Sequence, residues 1–278
     1  QSMPPRQARG QPLHPIYPPG CSPMSKAFWL RVLFGVPAAL VVQYLIRAQA
    51  NLHEDVGSVA AFVGAMGTLY SVLAGFTVIS VWQQFVDTDR AVKREARGLR
   101  ELWRYVGYVE DATGVAQARK AIEQYRDKVV SKEWLAMVAR RTTTTAEDEY
   151  FAMADAVNGM KVRTAKDVPA WAEEVRTLGE VSDARGERSV FVAIRIPTLL
   201  RLLLYITTTS LVFGMALLRF ETAVGGALVV FFTVVVSLLV LEVIDDLDEP
   251  FSGAWVISAA PLEKLSFGKR PTDDDGPG

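Results

Sequence analysis

Charged and apolar residues are sorted along this chain instead of mixed. Four windows hold no Asp, Glu, Lys or Arg: residues 32–46, 56–86, 202–218 and 222–241. Together they cover 83 positions, so all 61 charged side chains fall in the other 195. Water gives no reason for such sorting, whereas hydrocarbon excludes charge from any segment that crosses it. The pattern predicts four transmembrane helices, over 27–46, 56–86, 197–218 and 222–241. The second is too long to stand upright, since 1.5 Å per residue gives it about 46 Å against a hydrocarbon core of about 30 Å. It must tilt, bend or run out of the bilayer.

Past residue 86 the pattern stays helical but turns amphipathic. Val92, Ala96, Leu99, Trp103 and Val106 recur at alternating steps of four and three. No proline interrupts residues 38–168, so one helix is expected to run from the membrane into water. Further amphipathic helices are predicted over about 115–140 (Ala118, Ile122, Tyr125, Val129), and from about Pro169 towards Ile196. Another starts near Thr145, where Thr145-Ala146-Glu147-Asp148 fits a capping box. Pro197 suits the first turn of the third span. Only Arg219-Phe220-Glu221 joins the third and fourth spans, which makes them a tight antiparallel hairpin. No segment outside the spans has strand period.

The expected fold is an all-α membrane protein with four transmembrane helices in two hairpins, 26–86 and 196–244, and a helical domain, 87–195, between them. Residues 1–25 read as a disordered tail, since positions 1–23 hold 7 of the 14 prolines. Residues 245–278 read as an acidic segment with a disordered end. Arg31, one turn into the first span, is expected to snorkel to the interface. A cleaved signal peptide is the competing reading of 27–50, with Ala48-Gln49-Ala50 as its cleavage site. The second apolar span that follows so soon favours a hairpin.

Lys and Arg cluster on one side of the predicted spans. The loops 47–55 and 219–221 carry one each, Arg47 and Arg219, while Arg90, Lys93, Arg94, Arg97 and Arg100 follow the second span. Both termini and the 87–195 domain are therefore expected in the cytoplasm. That domain holds 20 basic and 19 acidic residues, a balanced surface and not a polybasic membrane clamp.

The scarce residues exclude whole classes of chemistry. Cys21 is the single cysteine, and His14 and His53 are the only histidines. No intramolecular disulfide, paired-cysteine zinc site, Ser-His pair or Cys-His pair has its parts. No catalytic residue, metal site or cofactor is expected, and the net charge of −1 leaves no nucleic-acid footprint. The uncharged windows also weaken a proton-coupled transporter, whose relays need ionisable groups inside the membrane.

The second span carries the most specific pattern. Gly57, Ala60, Gly64, Gly67, Ser71 and Ala74 recur at steps of three and four, a heptad of small residues. In lipid, small residues let helix backbones approach closely, so this face is expected to meet another helix in the same subunit or a neighbour. A flanking stripe, Thr68, Val72 and Phe76, is spaced i, i+4, i+8. Repeated around a symmetry axis, it would form a hydrophobic constriction that blocks ions by dewetting. The hydroxyls Thr207, Thr208, Thr209 and Ser210 in the third span are expected to bond carbonyls of the previous turn.

The segment Leu73-Ala74-Gly75-Phe76-Thr77-Val78-Ile79-Ser80-Val81-Trp82, with Gln84 after it, resembles the second transmembrane helix of bestrophins. Ile196-Pro197 at the third span and the run Leu247, Asp248, Glu249, Pro250, Phe251, Ser252, Gly253 after the fourth extend the likeness. So do Val256-Ile257-Ser258 and Pro261-Leu262, and the chain is similar over roughly 27–265 to the bacterial bestrophin-like domain family. The resemblance implies an ion channel in the bacterial inner membrane that assembles as a homo-oligomer, a pentamer, in the lipid bilayer. It also implies a pore neck at Thr68, Val72 and Phe76. One departure is plain. Bestrophins regulated by calcium carry acids directly after Pro-Phe-Gly, where this chain has Ser252-Gly253-Ala254-Trp255. Its acids Asp245, Asp246, Asp248 and Glu249 come before the motif, on one helix end where they cannot all converge on a cation, so they are expected to be solvated. The alternative function is a non-conducting scaffold or sensor whose cytosolic helices bind a partner.

Overall fold

Apolar and polar stretches alike fold as helix, and the described residues contain no strand. The computed structural model describes residues 26–48, 56–139, 141, 145–218, 220–265 and 267. In chain order the helices are α1 (Lys26–Ala48), α2 (Val56–Val106), α3 (Ala112–Lys128), α4 (Trp134–Val138), α5 (Glu147–Asn158), α6 (Asp167–Ala193), α7 (Thr198–Leu217), α8 (Ala223–Leu247) and the short α9 (Ala260–Glu263). A π-helical turn, Val129–Glu133, joins α3 to α4. The expected tails at 1–25 and beyond 267 lie outside the described residues.

Four helices, α1, α2, α7 and α8, are long and apolar enough to cross a membrane. Two apolar clusters tie them together. Val63, Tyr70 and Ala74 of α2 meet Leu204 and Leu211 of α7 and Leu241 and Ile244 of α8. Val36 and Ala39 of α1 meet Val230 and Val234 of α8. Those contacts pack α1 along α8.

α2 is the axis of the molecule. Its 51 residues make an unbroken rod of roughly 76 Å, as the change from uniform to amphipathic pattern predicts. Its polar half packs against α6, which runs back antiparallel to it. Around that pair α3, α4 and α5 close a second core, in which Val92, Leu99, Leu102 and Val106 of α2 and Ile122 of α3 are fully buried. The chain after α8 folds into the same core, with Phe251 against Trp134 at 5.3 Å and Phe267 stacked on Trp103 at 4.5 Å.

Two local expectations need correction. α5 starts at Glu147, with Ala146 and not Thr145 in the cap position. The Ala146 N–H is satisfied from far away, by Oε2 of the buried Glu133 at 3.2 Å. Pro197 stands just before α7 with extended backbone, as its cap residue, not within its first turn. α6 begins at Asp167, in keeping with the expected start near Pro169. There the Asp167 carboxylate accepts the N–H groups of Thr164, Arg163 and Glu110 at 2.9, 3.0 and 3.3 Å. Those bonds hold its carboxyl below the usual range and pin the start of α6 to the end of α2.

Candidate functional site

The apolar half of α2 uses a narrow line of residues to hold the chain together. Val63, Tyr70, Ala74, Thr77 and Val81 are buried, Val59, Met66, Gly67, Leu73 and Val78 beside them are half-buried, and the opposite side is open among the described residues. The small residues divide accordingly. Gly57, Ala60, Gly64 and Ser71 are exposed, and a methyl group added at Gly57 or Gly64 would meet nothing within 4 Å. Gly67 is half-buried, 3.7 Å on the same measure from Leu211, and Ala74 is buried. A seven-residue repeat on a straight helix drifts by about 20° per heptad. Over two heptads the row Ala60, Gly67, Ala74 turns from exposed to buried, while Gly57, Gly64 and Ser71 stay outside.

Thr68, Val72 and Phe76 share one open stripe, with Val72 51% and Phe76 70% exposed. The hydroxyls beside them are turned inward on the helix itself. Thr68 donates to the Gly64 carbonyl at 2.9 Å, Ser71 to Thr68 at 2.9 Å and Ser80 to Phe76 at 2.9 Å. The stripe therefore presents methyl groups and a phenyl ring. In α7, Thr207 and Thr209 also bond preceding carbonyls, at 2.9 and 2.8 Å, as expected, whereas the buried Thr208 hydroxyl bonds none.

Where α2 leaves the apolar half, the separated fragments of the sequence motif come together. Gln84 donates its side-chain amide to the Ile194 carbonyl at 3.1 Å, just before Pro197. Trp82 meets Trp255 edge to face at 5.6 Å. The Asp248 carboxylate accepts the Ile196 N–H at 2.9 Å and pairs with Arg201 at 2.7 Å, and its backbone carbonyl takes Arg195 at 2.6 Å. One side chain thereby fastens the end of α8 to the junction of α6 and α7. Burial raises its carboxyl above the usual range against the pull of the Ile196 amide and Arg201.

The acids expected to be solvated are thus mostly engaged. Asp246 accepts the N–H groups of Ala254 and Trp255 at 2.7 and 2.9 Å. Those bonds close a turn that Gly253 enters at φ +115°, where a side chain would be strained and would collide with Asp246. Asp245 pairs with Arg31 of α1 at 3.2 Å, so Arg31 is neutralised by a neighbouring helix and does more than reach for the interface. Leu247 and Phe251 are core residues, and Ser252 donates to Glu249 at 3.0 Å. The motif residues from Leu247 to Gly253 are joints of the fold. Among the described residues no group of three His, Cys, Asp or Glu could hold a metal ion.

Sequence reasoning missed a second polar cluster, inside the core of the polar half. Arg188 of α6 is fully buried, with Nε 2.6 Å from Glu95 Oε2 and Nη2 2.8 Å from Glu133 Oε1. Tyr125 donates to Glu95 at 2.6 Å. Burial works against the charge on Arg188, but Glu95 and Glu133 hold its pKa above the ordinary value, and burial beside Glu95 lifts the Tyr125 phenol well above its own. The signal was present: Glu95 falls on the Val92–Leu99 stripe, a charge on an otherwise apolar face. Its partners lie 30 and 93 positions away, beyond any local pattern. Glu133 ends the π-helical turn, which sets its side chain towards Arg188.

The chain compares closely with known proteins in family and fold. A model of the Bestrophin-like domain matches residues 30–262. Crystal structures of a bacterial bestrophin homologue from Klebsiella pneumoniae, each with a point substitution, share its architecture. One superposes with a TM-score of 0.68 at 12% identity, covering 86% of this chain and 94% of the other. A second gives 0.67 at 14% identity over 85% and 95%, and a third 0.66 at 11% over 84% and 94%. No curated protein matches the sequence.

Proposed function

Because the chain belongs to the Bestrophin-like domain family, we propose that it is an ion channel of that architecture, built from several copies around an axis lined by α2. One observation carries the reading. Among the described residues, nothing covers Gly57, Gly64 and Ser71 or the stripe Thr68, Val72 and Phe76 in the apolar half of α2. Gly57, Gly64 and Ser71 let a neighbouring copy approach closely, and Thr68, Val72 and Phe76 then face the axis as a narrow apolar neck. By the Lys and Arg bias, the 87–195 domain and both termini lie in the cytoplasm of a bacterial inner membrane. Five copies is the number that the family resemblance supports.

A narrow apolar ring blocks ions through the cost of stripping their water. Phe76→Ala widens it and Val72→Ser makes it wettable, so both raise ion flux in reconstituted liposomes while the oligomer persists. Phe76 is 70% exposed, so its truncation removes little packing within the chain and the thermal midpoint stays near that of the wild type. A stable ring that passes neither anions nor cations, in wild type and both variants, overturns the channel reading and leaves the scaffold. A monomer in detergent overturns the assembly itself.

A further inference from the structure

One buried ionisable group in the polar half has no counterpart among the described residues. Glu174 of α6 is fully buried, and neither carboxylate oxygen has a hydrogen-bond or ionic partner. Thr177, one turn on, is equally buried with its hydroxyl also unmatched. The register of α6 on α2 is set by Asp167 at Glu110, Val181 beside Gly98 and Arg188 on Glu95. Glu174 lies midway between Asp167 and Val181, opposite the turns of α2 where Leu102 and Val106 are fully buried.

The charged and titratable groups of that neighbourhood are committed elsewhere or face outward. On α2, Arg104 lies over the Tyr105 ring at 5.1 Å, Tyr105 packs on Tyr108, and Glu101 is partly exposed. On α6, Arg176 takes both Glu173 and Glu180. From α3, Arg119 lies over the Trp103 ring, and on the α5 side Glu149 pairs with Lys128 while Arg185 covers Tyr150. An ionised Glu174 would therefore be a bare charge in an apolar seam, which costs far more than a neutral carboxyl there. Burial alone moves its pKa from an ordinary 4.5 to about 7.

We propose that Glu174 is a proton-operated latch between α6 and α2: protonated, it lets the two helices close; ionised, it loosens their contact. The unbroken α2 carries that change towards the proposed neck, and only this transmission step rests on the channel reading. The sign follows from the raised pKa. Stability is complete while the group is protonated in both folded and unfolded chain, and it is lost as pH rises through about 7.

The test compares thermal midpoints of the full chain at about pH 5.5 and about pH 8.5 for wild type, Glu174→Gln and Glu174→Met. Gln keeps the shape without the charge, and Met fills the seam if an unmatched amide proves costly. The wild-type midpoint should fall on going to the higher pH, and at least one variant should abolish most of that fall and exceed wild type there. Parallel pH curves for wild type and both variants overturn the latch. Liposome flux tests the transmission: wild-type flux should change across the same interval and variant flux should not. Flux that conducts but ignores pH in the wild type overturns the transmission. Absence of any conductance defeats the channel reading, while the midpoints still decide the latch.

Discussion

Residues 87–106 and 56–86 of α2 belong to one helix, yet they complete their packing differently. In the polar half Leu99, Leu102 and Val106 are fully buried, and at Gly98 an added methyl would come within 2.6 Å of Val181. In the apolar half the equivalent glycines at 57, 64 and 75 meet nothing within 4 Å. The polar half of α2 buries its apolar stripe within one chain, because water drives that face to be covered. The apolar half has no such drive, since lipid tails are as apolar as its own side chains. Those three glycines leave that side of α2 open among the described residues.

The largest test of this contrast is at Arg188. Arg188→Met leaves Glu95 and Glu133 buried without their cation, and removing one partner of such a cluster costs about 3–5 kcal/mol. Denaturant or thermal unfolding should register a loss of that order. Adding Glu95→Gln and Glu133→Gln should recover part of it, because the uncompensated charges go too. A loss below about 1 kcal/mol, the range of an exposed pair, would mean that the polar half is not sealed.

How far the sequence reveals this molecule follows from the same contrast. The four spans are legible because hydrocarbon sorts charge residue by residue, and the length of α2 because its period never breaks. The motif from Leu247 to Gly253 marks the family, but its work is legible only in three dimensions, where Asp248 reaches Ile196 and Arg201. Charges that look solvated in a balanced domain include Glu95, Glu133, Glu174 and Arg188, all buried. Composition gives no warning of them, since their environment comes from helices folded back over many turns. At α5 a local rule loses outright: the Thr145 capping box yields to Glu133, a distant carboxylate that reaches the Ala146 amide.

The glycines sharpen the comparison next. Gly98→Ala forces Val181 or the α2–α6 spacing to give, at a cost of about 1–3 kcal/mol, the range of overpacked cores. Gly64→Ala adds a methyl to open space and should leave the unfolding of the single chain unchanged. Its bulkier counterpart Gly64→Leu should instead lower the oligomer population, read by light scattering in detergent. Equal stability losses at Gly98 and Gly64, with assembly intact, would erase the distinction between the two halves of α2.

The smallest expected effect lies on the outside of the same polar seam. Arg94 of α2 pairs with Glu187 of α6, one position from each member of the buried Glu95–Arg188 pair. The side chains of Arg94 and Glu187 are 52% and 40% exposed, so water screens their attraction and ordering two long side chains offsets much of the gain. Arg94→Ala should therefore cost only about 0.2–1 kcal/mol, a difference that shrinks further as salt is added. Glu187→Ala should match it, and the double variant should lose little more than either alone, since they share one interaction. The two pairs join the same helices at neighbouring positions and differ chiefly in access to water. If Arg94→Ala proved as damaging as Arg188→Met, exposure would not be what separates them, and the seam between α2 and α6 would be closed from its surface instead of from its core.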